Sequence, residues 1–210
     1  MQSTKDKLLD AAELLFGEHG VDNVSVRMIT SAAKVNLSAL GFHYGSRENL
    51  IKAVFLRRLL PLSEQRRENL RRLEVAREAT MTDVLSAFLD PVLELSRSQH
   101  LGERAFLRTL SRTLIDPSPI YREILSNELA GLMEGYLDAF QRAMPEFKRE
   151  EIGNRLDFAL GAIGHALSDP GRRGAYSDEE FLAPVERVMP QVLAFVLAGF
   201  KAPPVLALNT

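Results

Sequence analysis

Residues 25–49 read SVRMITSAAKVNLSALGFHYGSREN, and the spacing of their helix-capping residues predicts the fold. Ser25 is a typical N-cap for one short helix and Asn36 for a second, because their side-chain oxygens can accept hydrogen bonds from free backbone N–H groups. Gly45 is typical of a residue that ends a helix. Two short helices joined by a tight turn form a helix-turn-helix, and the turn falls at 34–36.

The second of these helices has the size of a recognition element. A helix of about seven residues is roughly 10 Å long, which is comparable with the roughly 12 Å width of the DNA major groove. The small residues Ser38, Ala39 and Gly41 let the backbone approach base edges. The aromatic run at 42–44 closes the helix, where polar ring atoms can reach phosphates and ring bodies can pack on neighbouring helices.

The rest of the chain is also predicted to be helical, and no strand pattern is found, so the predicted fold class is all-α. Ser3 with Asp6 and Ser177 with Glu180 are spaced as capping boxes. Pro91 predicts a bend in its helix. The expected helices lie between Ser3 and Gly20 and at about 26–33, 37–43, 47–73, 82–98, 103–115, 119–143, 148–168 and 178–200.

The composition excludes several classes of function. The 210 residues contain no cysteine, which excludes disulfides, thiolate zinc sites and a cysteine nucleophile. The four histidines lack metal-ligand spacing and residues 75–200 hold no catalytic constellation, so we expect no metal, no cofactor and no enzyme activity. No apolar run approaches the roughly 18–20 residues that span a bilayer. The polar start MQSTKDKLLD argues against a secretory signal, so the expected location is cytoplasmic.

The charge is unevenly distributed along the chain, whose formal total is −2. Residues 1–60 hold eight Lys and Arg against six Asp and Glu, a net charge of +2, and the remainder carries −4. Within 25–52 four basic residues face one acidic residue. This excess is compatible with contacts to DNA phosphates, although small solvated basic faces are common. We interpret the Arg/Glu alternation at 66–78 as a solvated helix face.

Residues 3–60 resemble the N-terminal DNA-binding domain of the TetR family of regulators. The resemblance runs from LLDAAELLF at 8–16 through SVRMITSAAKVNLSALGFHYGSRENLI at 25–51. It implies an N-terminal three-helix DNA-binding domain over residues 1–60. Over residues 61–210 it implies a C-terminal helical domain that binds a ligand and dimerises.

The resemblance also assigns residues to DNA contacts, and the chain departs from the family pattern at three positions. Lys34 stands at a usual turn glycine, Gly41 at a frequent tyrosine and Arg47 at a usual lysine. Lys34 adds a charge beside the DNA backbone, and Tyr44 is either a contact or a packing residue. The implied phosphate contacts are Ser25, Arg27, Phe42, His43 and Arg47, and the implied base-facing residues are Asn36, Leu37, Ser38 and Ala39.

The middle helices are rich in aromatic and methionine side chains. Core packing explains any one of them, but long helices around a bend such as Pro91 often leave a cavity between them. The resemblance implies that this region senses a small apolar effector. The expected lining of the effector cavity is Phe88, Leu89, Phe106, Leu110, Met133 and Tyr136.

The last two helices suggest association with a second copy of the chain. Gly161, Gly164 and Ser168 share one helix face, which lets another helix approach, and the helix at 178–200 is strongly apolar. The resemblance implies a homodimer with a four-helix interface, bound to a palindromic operator in double-stranded DNA. Packing within one chain is the alternative interpretation.

Three functions remain open at this point. The first is a repressor that a small apolar effector releases from its operator. The sequences of residues 26–55 and of RAFLRTLSRTL at 104–114 resemble those of a branch of the family that senses long-chain fatty acids or their acyl-CoA esters. The second is a repressor of an efflux or stress operon with an aromatic inducer. The third is a helical ligand carrier or enzyme that retains a helix-turn-helix.

Overall fold

The structure is a computed structural model that describes residues 2–76, 78–115, 118–168 and 182–204. Within these ranges every regular element is a helix, which confirms the all-α prediction. A short 3₁₀ turn at Val21–Asn23 follows the first helix. The capping box predicted at Ser177 and Glu180 lies outside the described residues. The helices are α1 (Thr4–His19), α2 (Val26–Ala32), α3 (Ser38–Tyr44), α4 (Arg47–Val75), α5 (Met81–Ser96), α6 (Leu101–Ile115), α7 (Pro119–Ala143), α8 (Arg149–Ser168) and α9 (Leu182–Lys201).

Serine caps fix where three of the N-terminal helices begin. The hydroxyls of Ser3, Ser25 and Ser46 each accept the backbone N–H three residues further on, at 3.1, 3.2 and 3.1 Å. These bonds satisfy amides that have no partner inside the first helical turn. The caps predicted at Ser3 and Ser25 are therefore confirmed.

The turn between α2 and α3 differs from the prediction. The cap predicted at Asn36 is wrong, because α3 begins at Ser38 and Leu37, already helical at φ −56° and ψ −36°, occupies the cap position. The Asn36 side chain forms no hydrogen bond within the described ranges. Lys34 makes the reversal with a φ of 54°, in the left-handed region that glycine adopts without steric cost.

α4 connects the two predicted domains without a break. It begins beside the helix-turn-helix at Arg47, passes the predicted boundary at 60–61, and ends at Val75 among the long helices. The buried apolar side chains likewise form one continuous core, which reaches from Leu8 in α1 to Phe200 in α9. The N-terminal helices and the long helices are consequently packed as one body along α4.

α1 crosses α6 at a point where only small residues fit. A Cβ added at Gly17 would stand 2.6 Å from the Ala105 Cα and 2.7 Å from its carbonyl oxygen. Gly102, almost one turn earlier on α6, lies directly against the Glu13 carboxylate. The two glycines therefore let the backbones of α1 and α6 approach closely.

A buried carboxylate at this crossing is paired with an arginine of α4. Glu13 is only 3% exposed, and its two oxygens accept from Arg58 Nε at 2.7 Å and Nη2 at 3.0 Å. Arg58 Nη1 also donates to Glu103 of α6 at 3.2 Å. The hydrogen bond to Glu13 raises the pKa of the Arg58 guanidinium. A single charged group thus joins α1, α4 and α6 through bidentate, charge-assisted bonds.

Pro91 opens the hydrogen-bond ladder of α5, and two neighbouring helices compensate for it. Proline has no N–H, so the Ala87 carbonyl four residues earlier loses its partner within the helix. Asn69 Nδ2 of α4 and the Tyr136 hydroxyl of α7 both donate to that oxygen at 3.0 Å. The proline therefore ties α4, α5 and α7 together while α5 continues to Ser96.

We predict that Gly17→Ala destabilises the protein by about 1–3 kcal/mol, because the new methyl group overlaps Ala105 and the two helices must separate. The matched control is Gly131→Ala on α7, where an added Cβ meets nothing within 4 Å. Alanine should there raise stability by up to about 1 kcal/mol through helix propensity. Urea unfolding of both variants measures the difference, and equal effects would contradict the close crossing.

Candidate nucleic-acid interface and effector cavity

α3 turns a polar and partly apolar face to solvent. The buried side chain of Leu40 anchors the helix on the core, which leaves Asn36 and Ser38 exposed on the other side. Leu37 is 53% exposed and Ala39 is half-buried. The four residues implied as base-facing therefore lie together at the start of α3, with three of them open to solvent.

Phe42 extends this surface at the end of α3. It is 85% exposed, an unusual position for a large apolar ring, and its ring lies edge-on to His43 with 5.0 Å between centroids. His43 is half-buried. An exposed aromatic side chain on a helix-turn-helix is suited to packing against a sugar-phosphate backbone, while the imidazole beside it supplies a polar nitrogen.

The start of α2 offers groups that can meet phosphate. The Ser25 oxygen accepts the Met28 N–H, which leaves the hydroxyl hydrogen free to donate outward. Arg27 and Lys34 are exposed, and neither forms an ion pair with any residue that the structure describes. These three residues supply hydrogen-bond donors and positive charge on the surface around α2.

Tyr44 packs on α1 instead of facing solvent. Its hydroxyl donates to the Lys5 carbonyl at 3.0 Å, and the Lys5 ammonium lies 5.9 Å from the ring centroid. Burial raises the pKa of Tyr44 to about 12, so the phenol stays neutral and keeps donating. The geometry therefore favours the packing interpretation of Tyr44 over a DNA contact.

Arg47 is held inside the protein by two backbone carbonyls. Its Nε and Nη2 donate to Val24 O at 3.2 and 3.0 Å, and Nη2 also donates to Val21 O at 2.5 Å. The guanidinium thereby fastens the start of α4 to the 3₁₀ turn that precedes α2. This geometry does not support the phosphate contact expected of Arg47, because its charged group serves as a structural clamp.

We predict opposite effects for two arginine variants. Arg47→Met should lower the free energy of unfolding by about 1–3 kcal/mol, because it removes donors from carbonyls beside the buried Val21 and Val24. Arg27→Met, at an exposed position, should leave stability unchanged and reduce the salt dependence of DNA binding by about one charge. Urea unfolding and operator titrations at several salt concentrations provide the two measurements. A stable Arg47→Met protein with a reduced salt slope would show that Arg47 faces DNA.

A second feature lies deep among the long helices. Side chains from α4 to α8 enclose an almost wholly apolar cavity of about 60 Å³, which has room for a few water molecules. Of the six residues expected to line a cavity, Phe88, Leu89, Leu110 and Met133 do so. Ligand binding by these residues stays a prediction.

The other two expected lining residues belong to the core. Phe106 packs against Phe55, with 5.4 Å between ring centroids. Tyr136 is fully buried, and its one hydroxyl hydrogen is shared between the carbonyls of Arg66 and Ala87, at 2.8 and 3.0 Å. The expectation that they line the cavity is wrong, because both rings are buried within the packed core, where the Tyr136 ring lies edge-on to Phe88.

Sequence reasoning missed Arg66, which also lines the cavity. It opens the Arg/Glu alternation interpreted as a solvated face, yet its exposed fraction is only 6%. Leu59 and Leu62 of the same helix line the cavity too, and Arg66 continues their spacing. Helical periodicity, with the charge disregarded, would have predicted this position.

An exposed helix-turn-helix on a helical body is the architecture of a DNA-binding transcription regulator. Comparison with known families gives the class. The family model described as "Bacterial regulatory proteins, tetR family" matches residues 8–54. The model described as "Tetracyclin repressor-like, C-terminal domain" matches residues 86–199. The chain therefore belongs to the TetR family of transcription regulators.

Individual relatives agree with this assignment. A probable HTH-type transcriptional regulator of Bacillus subtilis, YttP, is 28% identical over 149 residues, which cover 70% of this chain and 66% of that protein. SmeT, the repressor of the Stenotrophomonas maltophilia multidrug efflux pump SmeDEF, has a similar fold, with a TM-score of 0.60, 20% identity, and coverage of 92% and 90% of the two chains. GusR of Salmonella enterica gives a TM-score of 0.52 at 17% identity, over 95% and 96%.

The described residues hold neither a candidate membrane-spanning helix nor a candidate metal site. None of their helices combines the length and the apolar character that crossing a membrane requires. No three of their His, Asp or Glu side chains come together as a potential metal site.

Proposed function

We propose that the protein is a dimeric repressor that leaves its operator when a small apolar effector fills the cavity between α4 and α8. The observation that carries this proposal is the path of α4. One unbroken helix begins at the helix-turn-helix and supplies Leu59, Leu62 and Arg66 to the cavity wall. A change in the cavity can therefore displace the DNA-binding surface.

In this proposal the DNA surface divides into two sets of contacts. Asn36 and Ser38 reach base edges from the start of α3, because their polar side chains are exposed and engaged by no neighbouring helix. Ser25, Arg27 and Lys34 hold the phosphate backbone, with Phe42 and His43 at the far end of α3. Arg47 and Tyr44 hold this surface in place through their hydrogen bonds to backbone carbonyls.

The surface of α8 and α9 supports association of two chains. Phe158 of α8 is 73% exposed and Phe195 of α9 is 71% exposed, which leaves two large rings in water in the single chain. Exposed apolar side chains of this size on adjacent helices mark an interaction site. Arg155 of α8 meanwhile clamps the end of α9 by donating to the carbonyls of Phe200 and Ala202 at 3.1 and 2.9 Å. The two helices would thus form half of a four-helix interface.

The small cavity explains how an effector would act. Ligand pockets commonly measure about 300–1,000 Å³, so a ligand would have to push the helices around this cavity apart. α6 contributes Leu110 and Ser111 to the wall, while its Arg112 donates to the carbonyls of Phe16 and Gly17 at 3.3 and 3.1 Å. Expansion would therefore move α4 and α6, both of which hold α1.

The effector must prefer the expanded state to act as an inducer. A difference in binding free energy of about 1–3 kcal/mol between the two states lowers operator affinity roughly 5–150-fold. The resemblance to the fatty-acid-sensing branch supports a long-chain fatty acid or its acyl-CoA ester as the first candidate. A planar aromatic inducer of an efflux or stress repressor is the second, and the Phe88 ring in the cavity wall supports it.

We predict that Phe195→Glu converts a dimer into a monomer and abolishes tight operator binding, because a carboxylate placed in an apolar interface loses its hydration. Val75→Glu, at another exposed apolar position, is the matched control and should stay dimeric. Light scattering at micromolar concentration distinguishes the 23.5 kDa chain from its dimer. A wild-type protein that is monomeric both free and with operator would contradict the proposal.

The effector is tested by operator binding in the presence of candidate ligands. Long-chain fatty acids and acyl-CoA esters, kept below their micelle concentrations, should release a labelled operator and raise the melting temperature of the protein. Stabilisation without release would leave a pocket that is not coupled to DNA. Release by planar aromatic compounds alone would replace the fatty-acyl candidate by the efflux-type repressor. Turnover of any ligand would favour the carrier or enzyme alternative.

A further inference from the structure

The cavity contains one charged side chain in an apolar wall. Arg66 is 6% exposed, and the other lining residues are aliphatic or aromatic except for Ser111. Ser111 already donates its hydroxyl to the Leu107 carbonyl at 2.7 Å. Arg66 is therefore the polar group through which the cavity can distinguish one ligand from another.

The guanidinium of Arg66 is held in place on one side. Its Nε donates to the Phe88 carbonyl at 2.9 Å, and its central carbon lies 4.2 Å from the centroid of the Phe88 ring. These contacts fix the plane of the guanidinium. The two terminal nitrogens donate no hydrogen bond to any residue in the described ranges.

No carboxylate neutralises this buried charge within the part of the chain that the structure describes. The basic residues of α4 that form ion pairs do not include Arg66; they are Lys52, Arg57, Arg58, Arg67, Arg71 and Arg72. Burial lowers the pKa of Arg66 to about 10, so the side chain remains cationic at neutral pH. A buried cation without a counter-ion is costly, whereas the same cation becomes favourable when an anion arrives.

We propose that Arg66 is the anion-binding residue of the cavity, and that the effector is an apolar monocarboxylate whose carboxylate pairs with the terminal nitrogens of Arg66. The fork of two guanidinium nitrogens matches the two oxygens of a carboxylate. The hydrocarbon body of the ligand would lie among Leu110, Met133 and their neighbours. This inference rests on the proposed function and narrows its effector.

The inference also predicts that the cavity binds free acids in preference to their coenzyme A esters. A thioester has no carboxylate to pair with Arg66, and the several negative charges of its nucleotide part have no further cation among the lining residues. A chain of short or medium length requires less expansion of this small cavity than a long chain does. The structure thus favours a free medium-chain acid over both candidates that the family resemblance names.

The test compares two ligands of equal chain length that differ in the head group, a carboxylate in one and a neutral hydroxyl in the other. Octanoate and 1-octanol are titrated against the full-length protein bound to labelled operator. We expect octanoate to release the operator at a concentration at least about tenfold lower than 1-octanol. Equal concentrations for release would overturn the inference and leave the proposed apolar effector intact. No response to either ligand, in operator release or in melting temperature, would overturn the inference and leave the aromatic inducer as the remaining candidate of the proposed function.

Arg66→Met supplies the second comparison, because methionine fills a similar apolar volume without charge. The quantity measured is the concentration of octanoate that releases the operator divided by the concentration of 1-octanol that does so, both for the same variant. A general loss of stability affects both concentrations and leaves their ratio unchanged. We expect this ratio to rise about tenfold or more, so that the preference for the acid disappears. Arg66→Lys, which keeps the charge, should retain part of the preference. An unchanged ratio in Arg66→Met would show that Arg66 only ties α4 to α5.

A third measurement uses only the wild-type protein and covers the case in which the Met variant does not fold. The carbon resonance of octanoate labelled at its carboxyl group reports the pKa of the bound ligand. Pairing with Arg66 should lower that pKa below its value in free solution. A bound pKa above the free value would place the carboxyl group in the apolar wall, away from Arg66, and would overturn the inference.

Discussion

The fold depends on the close crossing of α1 and α6, where Glu13 meets Arg58. The absence of side chains at Gly17 and Gly102 brings the backbones together, and the buried carboxylate then needs a donor at short range. Arg58 supplies that donor from α4 and reaches Glu103 as well. Removal of Arg58 would leave the buried Glu13 carboxylate without its two hydrogen-bond donors, which destabilises a protein strongly. Three helices are thus held in one relative position by a steric condition and an electrostatic one.

The region around Pro91 is stabilised in a different way from the crossing of α1 and α6. There a missing N–H creates an unsatisfied carbonyl at Ala87, and the neighbouring helices correct the defect with Asn69 and Tyr136. The side chains that make this correction lie on α4 and α7, which also enclose the cavity. A core that contains an incompletely filled space, next to a helix that proline has weakened, can change its packing more easily than a uniformly filled core.

Sequence reasoning predicted most local features of this chain, although the cap expected at Asn36 was wrong. Ser25 caps α2 and Gly45 ends α3, because both effects depend on neighbours within four residues. It was less informative where a side chain interacts with residues far away in the sequence. Arg47 bonds to carbonyls more than twenty residues earlier, and the sequence around it resembles that of a surface arginine. Arg66 was assigned to solvent by its charge although its helical spacing indicated burial. Local propensity cannot identify a partner that only the packed fold brings close.

The fit between α1 and α6 also limits how such a regulator can acquire a new target. If recombination replaced the N-terminal segment alone, an α1 from one lineage would meet an α6 shaped for another, and a single methyl group at position 17 would be too large. The outward face of α3 is under no such steric control, since Asn36, Leu37 and Ser38 are exposed. New operator specificity is therefore accessible by point substitution on α3, whereas exchange of the whole segment requires α6 to be inherited with it.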